Sequence, residues 1–135
     1  MKIRELSIGD WVMNLYANKP SRVIGLRTMF QDTYEIIAVS DDTQYMLIED
    51  NKELHNFEPI PLTPEILEKN GFEELKDKSW VGHNHHCHIQ QHRSSWTLLA
   101  NKRGFYRTIR FEGLEFVHQL QNALRLAGVG KEIEV

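Results

Sequence analysis

The stretch "HNHHCHIQQH", residues 83–92, holds five of the chain's seven histidines and its only cysteine. Imidazole and thiolate are preferred ligands of transition metals, and imidazole also exchanges protons near neutrality. Spacing decides which chemistry is open. On a strand the side chains alternate between faces. His83, His85 and Cys87 would then share one face, and His86, His88 and His92 the other. A His-x-His pair on one face brings two imidazoles to chelating distance. Zinc needs three or four ligands around a tetrahedron. His86 and His88 supply two, with His118 as the candidate third; His85 with Cys87 is the other possible start. No second cysteine, no His-x3-His on a helix and no carboxylate within residues 79–111 completes either set. That speaks against a structural zinc finger. A metal-dependent hydrolase on His86, His88 and His118 stays open as an alternative.

The contiguous letters His83-Asn84-His85 are not an HNH nuclease signature, whose residues are dispersed over a hairpin and a helix. A Cys87–His pair could act as nucleophile and base only if the fold made them adjacent and added an oxyanion element. The eight glycines are scattered, so no phosphate-cradling loop is present.

Charge points to a different use of the same region. The chain carries a net charge of −3, yet residues 79–111 contain Arg93, Lys102, Arg103, Arg107 and Arg110 and no acid. Trp80, Trp96, Phe105, Tyr106 and Phe111 lie in this basic block. Cations draw phosphates, and exposed rings stack on bases. Arg103-Gly104-Phe105 matches the opening of the RNA-recognition strand motif, but Tyr106 and Arg107 depart from it. The expected binding surface comprises His86, His88, Lys102, Arg103, Tyr106, Arg107 and Arg110. An acidic protein partner fits it at least as well as nucleic acid, and so does a second copy of this chain, whose first 59 residues are themselves acidic.

These residues need elements to position them. At 135 residues and 41% hydrophobic, the chain is the size of one domain or two very small ones. Residues 1–60 read as short strands: "DWVMNLY", "RVIGL", "TYEIIAV", "QYMLIED" and "ELHNFEPI", parted by turn residues. They predict a small SH3-like β-barrel or bent sheet. Residues 61–135 predict an α+β subdomain, so the fold class is α+β. Its helix over 63–70 has Thr63 as N-cap, Pro64 at the first turn, a Leu62–Leu67 staple, and Gly71 and Phe72 to close it. Antiparallel strands follow over 79–111, with a hairpin turn at Asn101–Gly104. A helix over 113–127 buries Val117, Leu120, Leu124 and Ala127, with His118 and Gln119 away from that stripe. "KEIEV", 131–135, reads as a short closing strand. With a strand at 56–60, the order approaches a ferredoxin-like one.

The segments "LSIGDWV", "EPIPLTPEILEKNGF", and "VHQLQNALRLAG" followed by "KEIEV" carry a resemblance across nearly the whole chain. They resemble a family of small proteins from phages and integrated elements of Bacteroides-type gut bacteria. The resemblance implies a mobile-element origin and a bacterial cytoplasm, and it brings no activity, cofactor or site residue with it.

The expected function is therefore that of a mobile-element accessory protein, a non-enzymatic binding module working through the basic block. Its expected partner is a protein, with nucleic acid as the alternative, and no cofactor is expected. No apolar run approaches the roughly 20 residues of a membrane span, the start of the chain has no apolar signal core, and a single cysteine suits a reducing compartment.

Overall fold

The computed structural model describes residues 1–50, 53–82, 86–101 and 108–135. The chain is α+β and divides into two compact units, Met1–Ile60 and Pro61–Val135. Among the described residues no helix is long and apolar enough to cross a membrane.

The first unit opens with a 3-10 turn, Ile3–Glu5. Five strands follow: β1 (Trp11–Asn14), β2 (Lys19–Thr28), β3 (Thr33–Ser40), β4 (Thr43–Asp50) and β5 (Phe57–Pro59). They form one antiparallel sheet in the order β4-β3-β2-β1-β5. The sheet does not close into a barrel; β4 and β5 are its edges. Proline lacks an N–H for the ladder, so Pro59 suits the edge strand β5. Alternation decides what is inside. Val12, Val23, Ile36 and Ala38 are fully buried, and Leu6, Leu54 and Phe57 complete the core. The register of β2 on β3 shifts between Val23 and Gly25, so Ile24 is extra and is pushed outward. Glu49 is buried, which would be unfavourable for a bare carboxylate. Its oxygens accept from the backbone N–H groups of His55 (2.9 Å) and Asn56 (2.6 Å), bracing the approach to β5.

The second unit starts with α1 (Pro64–Lys69). The Thr63 hydroxyl accepts from the Ile66 N–H, and Pro64 needs no partner for its nitrogen. At the far end Phe72 N–H reaches the Leu67 carbonyl and Gly71 N–H the Glu68 carbonyl, with Gly71 at φ +83°. This is the Schellman closure that glycine favours. Strands β6 (Glu73–Glu74), β7 (Trp80–Gly82), β8 (Cys87–His92), β9 (Ser95–Asn101) and β10 (Thr108–Leu114) then form a plain meander in the order β10-β9-β8-β7-β6. Helix α2 (Val117–Leu126) contacts β9 and β10. Ile89, Trp96, Leu98 and Ala100 are buried while their strand neighbours are open, so the helix covers that face.

The ferredoxin-like order does not form. The 57–59 strand belongs to the first unit's sheet, and residues 131–135 join no sheet. Side chains take the place of a ladder there. Gln121 donates to the Lys131 carbonyl and accepts from the Ile133 N–H, and Asn70 does both with Glu134. This segment covers a second flank of α2, so the helix is buried beyond its apolar stripe. His118 is only 2% exposed rather than outward-facing, and its ring stacks on Phe116. The helix also starts later than residue 113. Gly113 sits at φ +71°, β10 runs to Leu114, and the Gln119 side chain accepts from the N–H groups of Glu115 and Phe116.

Candidate functional site

Strand pairing sets the site. Directly paired residues of an antiparallel sheet share a face. His88 pairs with Leu99, and Leu99 with Arg110; Gln90 pairs with Thr97, and His92 with Ser95. These side chains stand on the face opposite the core, where Glu112 and Gly113 join them past an irregularity in β10. Together they line a groove of about 430 Å³. The lining mixes donors, acceptors and both charges, and only Leu99 is apolar. Arg110 Nε donates to Glu112 at 2.6 Å. The basic block is therefore met in the groove by an acid from just beyond it.

His88 is held from behind. Its Nε2 lies 3.1 Å from the Ser79 Oγ, and that hydroxyl donates to Asp77 Oδ1 at 2.5 Å. Ser79 has one hydroxyl proton, and the carboxylate takes it. Nε2 must then carry the hydrogen and donate to Ser79. The Ser79 amide also donates to Asp77, at 3.0 Å. The hydroxyl, then the amide, and the nearby charge of His88 hold the Asp77 carboxyl below the ordinary carboxylate range. Asp77 and Ser79 did not stand out in the sequence. The Asp-x-Ser spacing is a turn-forming signal, but its link to His88 requires β7 to return alongside β8.

Of the expected surface, His88 and Arg110 line the groove. His86 precedes β8, and its carbonyl accepts from the Asn101 N–H at 2.9 Å. Lys102, Arg103, Tyr106 and Arg107 lie outside the described residues, as do His83 and His85 and the expected hairpin turn after Asn101. The proposed metal set does not assemble. His88 faces away from the core, whereas His118 is buried on the helix that packs against the core. Among the described residues no three His, Cys, Asp or Glu side chains gather to hold a metal. Cys87 is fully buried on the core side of β8, and burial pushes its thiol up to about 11. A thiol kept neutral in an apolar core is no nucleophile at neutral pH.

The chain matches no protein-family model, no curated protein and no solved structure.

Proposed function

We propose that the second unit is a non-enzymatic interaction module and that the groove over β8, β9 and β10 receives an extended segment of a partner protein. One observation carries this: a groove of about 430 Å³ lined by side chains that offer hydrogen bonds of both kinds on a regular strand spacing. Such a lining reads a polar chain, whereas a run of nucleic-acid phosphates would meet Glu112 beside Arg110. The first unit fits an SH3-like sheet by its strand order and its long β2, without barrel closure. The same proposal includes a mobile-element origin and a cytoplasmic setting, with self-association through the acidic first unit as a secondary use.

The test is a random-peptide display selection on the whole chain. A family of related peptides should enrich, and binding should be lost when the half-buried Thr97 at the groove's centre is changed to Arg. No enrichment, or binding indifferent to Thr97→Arg, would remove the groove as the working surface.

A further inference from the structure

We propose that the row His88–Leu99–Arg110 is a seat for one oxyanion on the bound segment, a carboxylate or a phosphate monoester, held between the His88 imidazolium and the Arg110 guanidinium. The proposal rests on the groove being the binding surface and names the group that anchors there.

Position comes first. The three residues are directly paired on successive strands. Neighbouring strands lie about 4.8 Å apart, so the Cα atoms of His88 and Arg110 are about 10 Å apart. Leu99 stands between them, half-buried, as an apolar floor. Two long side chains on either side can reach over it to one small anion. Charge-assisted bonds of this kind are the strong ones, and a guanidinium matches an oxyanion with two parallel donors.

Orientation comes next. Nε2 of His88 is engaged with Ser79, which leaves Nδ1 as the ring nitrogen for a ligand. Nδ1 meets an oxyanion only when it carries a proton. The resulting imidazolium is answered by Asp77 through the Ser79 hydroxyl. Asp77 is thus a positioning residue that never touches the ligand. The same logic orients metal-bound histidines, where a carboxylate behind the ring fixes the tautomer.

The surrounding groups limit the seat to a single anion. On β10, Glu112 binds Arg110 at Nε, leaving the terminal nitrogens to face a ligand while opposing a second negative charge. On β8, His92 lies two rows away from His88 by strand alternation, and His86 precedes the strand. On β7, the residue paired with His88 is Val81, which brings no charge. A single acidic or phosphorylated side chain fits this arrangement better than a polyanion.

The test uses the whole chain and NMR. Inorganic phosphate and acetate are the free probes. A groove-selected peptide is compared in three forms: with its acidic residue, with the matching amide, and with phosphoserine in that place. Phosphate should shift the signals of His88, Leu99 and Arg110. The acidic or the phosphorylated form should bind about tenfold more tightly than the amide, and the tighter of the two names the source of the anion. Either Arg110→Ala or His88→Gln should remove about tenfold, bringing the acidic form down to the amide form.

Asp77→Ala removes the acceptor of the Ser79 hydroxyl and leaves every groove contact in place. It should abolish the fixed Nε2–H tautomer in long-range proton–nitrogen spectra and weaken acid binding severalfold. A merely structural role would change none of these. Equal binding of the acid and amide peptides, or selected peptides without any acid, would overturn the seat and leave the groove standing. Phosphate shifts at the row without any peptide binding would keep the seat and overturn the groove as a protein site.

Discussion

Each unit carries a five-stranded antiparallel sheet with one face buried, but the opposite faces differ in kind. In the first unit that face is largely apolar: it presents Ile37 against Met46, with Ile48 and the displaced Ile24, beside one Arg27–Glu35 ion pair at 3.3 Å. Met46 is 57% exposed and Ile48 50%. In the second unit the corresponding face presents His88, Gln90, Thr97 and Arg110. An open apolar face can bury area but selects little, since the hydrophobic effect has no direction. A polar face selects through the geometry of its donors and acceptors. The contrast favours the second unit as the seat of the recognition proposed above, although the first has the longer strands.

The contrast has a steep stability counterpart. Trp96→Ala removes the largest fully buried side chain of the molecule and should cost about 3–5 kcal/mol in urea unfolding followed by circular dichroism. Ile48→Thr, on the open face of the first unit, should stay within about 0.5 kcal/mol. A cost for Ile48→Thr approaching that of Trp96→Ala would mean that the apolar face is covered in solution, and the contrast would fail.

A smaller effect separates two glycines, one in each sheet. A Cβ on Gly82 would lie 2.7 Å from Cδ1 and 2.9 Å from Cε1 of the Phe72 ring. Phe72 is buried and ends the α1 closure, so it has little freedom to yield. Gly82→Ala should cost about 1–3 kcal/mol. A Cβ on Gly25 would meet the flexible end of Ile37 at 3.1 Å, on the open face. Gly25→Ala should change stability by about 0.5 kcal/mol or less. Equal melting shifts for the two variants would show that neither sheet packs more tightly at its glycine.

What could be read without the structure follows the reach of each interaction. Helix α1 was legible because its signals are local: Thr63, Pro64, Gly71 and Phe72 all act within one short segment. The separation of Cys87 from His88 and His92 was legible because alternation needs only the strand. Residues 131–135 misled because "KEIEV" alternates like a strand, while its backbone partners are side-chain amides. Asn70 lies 64 residues from its partner Glu134, and no short-range pattern announces it. His118 misled because an apolar stripe predicts one buried flank, whereas His118 is also buried, its ring stacked on Phe116. Within the site, His88 and Arg110 are suggested by composition, but the Asp77–Ser79 brace is a tertiary fact.

The finest division between faces falls within β8, between Cys87 and His88. His88 lines the groove, and Cys87 is closed into the core. Burial raises the folded thiol's pKa from the ordinary 9.0 to about 11. The unfolded thiol loses its proton first as pH rises, so between those values the unfolded state binds fewer protons. The thiol's contribution is then fully present below pH 9 and is lost as pH climbs towards about 11. Wild-type protein should lose stability relative to Cys87→Ala across this window, with the gap between them constant below it. In parallel, iodoacetamide at pH 8 should label the native thiol far more slowly than the urea-unfolded one. Rapid native labelling, or a gap that ignores alkaline pH, would mean that β8 exposes its core side. The separation of a sealed face from a recognising face would then be lost at the strand where it is sharpest.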